Sequence, residues 1–127
     1  MVQRVEPHLH KRLWEVSKDG DAEEIGSLLA AGADPNLYRC GKGYSALIRA
    51  ASKGQRSVAL QLLNHEAKVS DETNTGWTAL HWAAFNGDTE MVLTLMLWGA
   101  NPQHKAKTDG KTPGEVAKMH DHVDIVR

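Results

Sequence analysis

The sequence predicts an all-α fold, a solenoid of stacked helix-turn-helix units joined by β-hairpin-like turns. Three observations predict it. Short blocks recur at separations of 33 or 34 residues, each block closes on a glycine, and the apolar residues that follow each glycine fall at i, i+3 and i+4. The first two describe a repeated unit, and the third makes its later half an amphipathic helix.

The first helix of each unit is read from Leu13-Trp14-Glu15-Val16-Ser17-Lys18-Asp19-Gly20, Leu47-Ile48-Arg49-Ala50-Ala51-Ser52-Lys53-Gly54 and Leu80-His81-Trp82-Ala83-Ala84-Phe85-Asn86-Gly87. The pairs Ala50-Ala51 and Ala83-Ala84 are small enough to bring neighbouring helices toward the near end of the usual axial separation of about 8–10 Å. The terminal glycine lets the chain reverse in a left-handed conformation that costs a side chain about 1–2 kcal/mol. Asp21 and Asp88 then stand as N-caps of the second helix, with Glu24 in capping-box spacing after Asp21.

The second helices carry the stripes Ile25, Leu28 and Leu29, then Ala59, Leu62 and Leu63, then Val92, Leu95 and Met96, all expected in the core. Each unit ends in an extended turn: Ala33-Asp34-Pro35-Asn36, Ala67-Lys68-Val69-Ser70 and Ala100-Asn101-Pro102-Gln103, leading to Gly43, Gly76 and Gly110. The approximate units are 10–42, 43–75, 76–109 and 110–127 within one domain, 1–127. In the first, polar Glu15 and Lys18 and the charged lead-in from Glu6 to Arg12 suit the solvent-facing end that a terminal repeat needs. The fourth begins at Gly110-Lys111-Thr112-Pro113 and leaves only Asp121 to Arg127 for its second helix. Two expectations stand for that end: a complete small protein, or a domain cut from a longer one.

Gly76-Trp77-Thr78-Ala79-Leu80-His81-Trp82-Ala83-Ala84 resembles the ankyrin repeat opening G-x-T-P-L-H-x-A-A. The resemblance continues through Gly87-Asp88-Thr89-Glu90-Met91-Val92 and closes at Leu97-Trp98-Gly99-Ala100-Asn101-Pro102. The second unit departs from it at Ile48, where the family prefers histidine, and at Glu66, where it prefers the glycine present as Gly32 and Gly99. The resemblance implies that His81 bonds Thr78 and nearby backbone to hold the turn.

It also implies a binding face made of the extended turns and the outward positions of the first helices. The variable positions are Tyr44, Ser52 and Lys53, then Asn74, Thr75, Trp77, Phe85 and Asn86, then Lys111 and Met119. Trp77, Trp82 and Phe85 crowd one repeat although the chain has only seven aromatic residues, and buried aromatics dominate interface energetics. Trp77 and Phe85 are therefore the expected anchors. Trp82 either joins them or fills space between helices, and Trp98 is expected to pack against its neighbour. Tyr38 and Arg39 extend the surface toward the N-terminus. The segment Leu28 to Asn36 resembles the context in which ankyrin asparagines are hydroxylated, with Pro35 departing from the usual aliphatic residue.

Composition removes several other classes. Hydrophobic and charged shares of 41% and 24% are those of ordinary globular chains, and a net charge of -1 offers no broad positive field for nucleic acid. One cysteine, Cys40, permits no internal disulfide, and no window approaches the roughly 18 apolar residues of a membrane span. With a polar N-terminus, this favours the cytoplasm or nucleus. The pairs His8-x-His10 and His120-x-His122 point in different directions on a helix, and no further ligand set accompanies them, so no metal is expected. Gly41 and Gly43 serve a turn, and the Lys105, Lys107 and Lys111 cluster is a loop patch able to steer an acidic partner.

No catalytic residue, no cofactor and no nucleic-acid or membrane partner is expected. The expected function is a non-catalytic protein–protein interaction module, an adaptor or inhibitor, monomeric alone. The alternative is a targeting or regulatory domain of a larger enzyme or channel.

Overall fold

The computed structural model describes residues 7–120. Among them are seven helices: α1 (Pro7–Val16), α2 (Ala22–Ala30), α3 (Ala46–Ser52), α4 (Arg56–Asn64), α5 (Ala79–Phe85), α6 (Thr89–Leu97) and α7 (Pro113–Met119). Each first helix packs on its own second helix, α1 on α2, α3 on α4 and α5 on α6. Like helices then stack on like: α1, α3, α5 and α7 form one layer, and α2, α4 and α6 the other. The all-α solenoid expected from the repeat is the fold observed.

The caps explain where the helices start. Asp21 and Asp88 accept the backbone N–H three residues on, and Ser45, Thr78 and Thr112 do the same for the first helices. Glu24 does not close the capping box expected after Asp21. Its carboxylate instead meets the Arg12 guanidinium at 2.7 Å, a partner on α1 that local spacing could not show. Full boxes form at Thr78 with His81 and at Thr112 with Glu115. The latter's accepted bonds from Thr112 hold the Glu115 carboxyl below its usual range.

The core runs between the layers as an unbroken cluster. Ala50, Ala51, Ala83 and Ala84 have no exposed surface, as the close approach of α3, α5 and their neighbours requires. Ile25, Leu29, Ala59, Leu62, Leu63, Val92 and Leu95 are buried, and Leu28 is half-buried. Met96 departs from its stripe, being 44% exposed where the equivalent Leu29 and Leu63 are 5% and 3% exposed. Those leucines lie beneath the following second helix, and α6 has no such neighbour among the described residues. The same holds at Trp98, which is 42% exposed rather than packed against a neighbour. Met91, outside the expected stripe, is fully buried in its place. The lead-in before Pro7, His122 and the segment 121–127 lie outside the described residues.

Between the helix pairs the chain turns out and back. The best-formed hairpin has an antiparallel bridge of Glu72 with Thr78 and a Thr73 N–H bonded to the Trp77 carbonyl at 2.8 Å. Gly76 turns it at φ +84°, and a Cβ there would collide with the backbone N of Lys107 in the next turn. Adjacent turns are then stitched together. The Asn36 side chain bonds both Glu66 O and Lys68 N, Asn74 donates to Gly41 O, and Lys107 N donates to Thr75 O. The turns therefore stand in a row beside the first-helix layer.

Candidate functional site

The expected binding positions are arranged on the first-helix and turn side of the stack. Trp77, ahead of α5, and Trp82 and Phe85 on α5 form one aromatic cluster, with ring centroids 5.0 Å apart for Trp77 and Trp82, 5.7 Å for Trp77 and Phe85 and 5.6 Å for Trp82 and Phe85. The edge-to-face geometry of all three pairs is the favoured one, contributing about 0.5–1.5 kcal/mol per pair beyond area burial. Trp77 also stacks on His81, which fixes its ring from below. Phe85 is 37% exposed and touches His120, while both tryptophans are half-buried. Trp82 thus does both things open to it in the sequence, packing within the cluster and lining the surface.

The row continues toward the N-terminus. Tyr44 reaches Trp82 at 5.8 Å, and its backbone carbonyl accepts the indole N–H of Trp14 at 2.8 Å. Burial, with the neighbouring Cys40, raises the Tyr44 phenol above its usual value. The Arg49 guanidinium lies 3.9 Å above the Trp14 ring, a cation–π contact. Trp14 in turn meets Tyr38 edge-on at 5.3 Å. Between these groups is a cavity of about 280 Å³, lined by Trp14, Tyr44, Arg49, Ser52, Lys53 and Trp82, with Cys40 and Lys42 at its turn side.

Arg49 and Trp14 were not among the residues singled out in the sequence. A signal existed: Arg49 stands 33 residues before Trp82, at the same place in the repeat, so that the two project from equivalent points of α3 and α5. The Nε of Arg49 and the Nε1 of Trp82 are both buried without a hydrogen-bond acceptor among the described residues. A buried donor left unpaired costs about 1–3 kcal/mol, so two around one cavity are unusual for a purely structural arrangement.

The remaining positions are more engaged with the scaffold. Asn86 donates to the Ser52 carbonyl at 3.0 Å, joining α5 to α3, and Asn74 is the staple to Gly41 described above. The Thr75 hydroxyl pairs with that of Thr73, and its carbonyl receives Lys107 N. The Lys111 carbonyl accepts from Ala106 N and lies 2.8 Å from the His81 Nε2. Met119, at the end of α7, is 61% exposed. Within the basic loop, the Lys107 ammonium lies 3.0 Å from Glu72 and holds that carboxyl below its usual range, burial opposing. Arg39 pairs with Asp71 at 2.7 Å, so the N-terminal end of the face is held by an ion pair between turns. The Asn36 side chain, in the segment resembling a hydroxylation context, has both ends bonded to the second turn. His10 accepts the Asp34 N–H at 2.8 Å.

Comparison with known proteins gives the same architecture. Residues 13–106 match the family described as ankyrin repeats in three copies. A probable E3 ubiquitin-protein ligase of Oryza sativa subsp. japonica is 32% identical over 120 residues, 92% of this chain and 24% of that protein. A putative ankyrin repeat-containing protein of Treponema pallidum is 33% identical over 104 residues, 82% of this chain and 35% of that one. The Notch-regulated ankyrin repeat-containing protein of Xenopus laevis is 29% identical over 93 residues, 71% of this chain and 82% of its own length. The chain thus spans 24% and 35% of the length of the first two relatives, well under two thirds of either.

Proposed function

The chain belongs to the ankyrin repeat family, whose repeats are protein–protein interaction modules, and from that premise we propose that it is a non-catalytic adaptor or inhibitor holding a protein partner on its first-helix and turn face. The observation that carries this is the Trp77, Trp82 and Phe85 cluster. A packed aromatic group with one edge open to solvent presents rigid apolar area at small entropic cost, which is the makeup of an interface anchor. Tyr44, Ser52 and Lys53 flank it on one side and Met119 on the other, so a partner crossing the stack would touch three successive repeats. The proposed setting is the cytoplasm or nucleus.

The test is capture of partners from cell extract by the wild type, by a Trp77→Ala, Phe85→Ala double variant, and by Leu97→Ala on the opposite layer, with helicity and stability matched by circular dichroism. Loss of specific proteins from the double variant alone is expected. An unchanged set would remove this face from consideration.

A second reading makes the array the partner-holding portion of a longer enzyme or channel, and the length of the relatives favours it. The mass of the native gene product distinguishes the two.

A further inference from the structure

Three cations border the cavity between α1, α3 and α5: Lys42, Arg49 and Lys53. No carboxylate lines it, and none of the three forms an ion pair among the described residues, whereas Arg39 pairs with Asp71 and Lys107 with Glu72 elsewhere in the turns. The guanidinium of Arg49 is held by one face against Trp14, and its Nε–H is buried without an acceptor. The indole N–H of Trp82 is likewise buried and unpaired on the other wall. Aromatic walls, fixed donors and uncompensated positive charge in one concave place form a receptor for a small planar anion, since guanidinium and carboxylate match in geometry.

We infer that this cavity is an anion subsite of the binding face and receives the carboxylate of an aspartate or glutamate side chain from the partner protein. The inference rests on the proposed use of that face and adds the chemistry of what it takes. The aromatic cluster is contiguous with the cavity through Trp82, so the partner segment that fits carries an acidic residue close to an apolar one, the first over Arg49 and the second over Trp77 and Phe85. Lys42 and Lys53, both exposed, stand at the rim where charge steers approach.

The experiment is a nuclear magnetic resonance titration of the full ¹⁵N-labelled chain, following the indole Nε1–H of Trp82 and Trp14 and the Nε–H of Arg49, assigned by Trp82→Phe, Trp14→Phe and Arg49→Lys. The probes are N-acetylglutamate N-methylamide, its glutamine counterpart and phenyl phosphate at matched ionic strength. The expected result is a saturable shift of the Arg49 and Trp82 signals with the glutamate probe and none with the glutamine probe. In Lys42→Gln, Lys53→Gln, which alters only exposed side chains, the dissociation constant for the glutamate probe should rise about threefold or more.

Absence of a saturable shift, or equal shifts at the distant Lys105 and Lys118, overturns the inference. Tighter binding of phenyl phosphate by about tenfold, or about 1.4 kcal/mol, assigns the cavity to a phosphate group and overturns the carboxylate. Partner capture separates this inference from the broader one: capture lost in Trp77→Ala, Phe85→Ala but retained in Arg49→Lys and in the lysine double variant leaves the face standing and removes the subsite.

Discussion

The Nε2 of His81 donates to the Lys111 carbonyl at 2.8 Å, tying α5 to the turn that precedes α7. The tautomer follows from the other ring nitrogen. Nδ1 accepts the Thr78 backbone N–H at 3.2 Å, so the proton sits on Nε2. A neutral imidazole satisfies both repeats, and an imidazolium would set two N–H groups against each other at Thr78.

Burial is the largest cause holding the His81 pKa below the ordinary imidazole range, with the His104 ring adding to it and the Lys111 carbonyl opposing. Because the folded value lies below the unfolded one, the contribution is fully present above about pH 6.5 and is lost as pH falls through the lowered folded value. Urea unfolding of the wild type should therefore shift to lower midpoints from pH 7.5 to 5.5, with a smaller shift in His81→Gln. His81→Ala, which removes both bonds and leaves a cavity, should cost about 2–4 kcal/mol at pH 7.5. An equal pH response in the wild type and His81→Gln would assign the acid sensitivity elsewhere.

Glu66 is the one non-glycine residue with a left-handed backbone among those described, at φ 69°, where the other units have Gly32 and Gly99. Its carbonyl, which accepts from Asn36, would survive substitution. Glu66→Gly is expected to stabilise the chain by about 0.5–1 kcal/mol, the relieved strain exceeding the added freedom of the unfolded chain. Thermal and urea denaturation measure it, and a loss of stability would contradict the strain argument.

Gly76 gives the opposite case. Its positive φ and the approach of the Lys107 backbone N leave no room for a Cβ. Gly76→Ala should destabilise by about 2 kcal/mol or more, and Gly41→Ala, with open space around it, by far less. Equal effects in urea titrations would count against the packing of those two turns.

Leu95 and Leu97 compare two sides of one helix. Leu95 is fully buried and Leu97 is 86% exposed. Leu95→Ala should cost about 2–5 kcal/mol and Leu97→Ala less than about 0.5 kcal/mol, read from the same denaturation curves.

Most of the scaffold was legible because a repeated unit reports each of its constraints several times. The alanine pairs, the reversing glycines and the two aspartate caps need only local geometry, and all appear where spacing put them. Glu24 and Met96 escaped the same reasoning because their environments are set by groups far along the chain, Arg12 in one case and the helix that would cover α6 in the other. The face was partly legible. Aromatic crowding marked Trp77, Trp82 and Phe85, whereas Arg49 and Trp14 became neighbours only once α1 and α3 were laid side by side. Asn74 and Asn86 look variable and solvent-facing in sequence, yet their amides are bonded to the preceding repeat.

The side-chain hydrogen bonds between units join residues only one unit apart, from Trp14 with Tyr44, separated by 30 positions, to Gln61 with Ala22, separated by 39. Such a chain stores its cohesion like a one-dimensional lattice of nearest-neighbour couplings. Loss of order should accordingly begin at an end and advance unit by unit, so spectroscopic probes in different repeats need not melt together, and a single unfolding free energy would then be an average over domino-like steps.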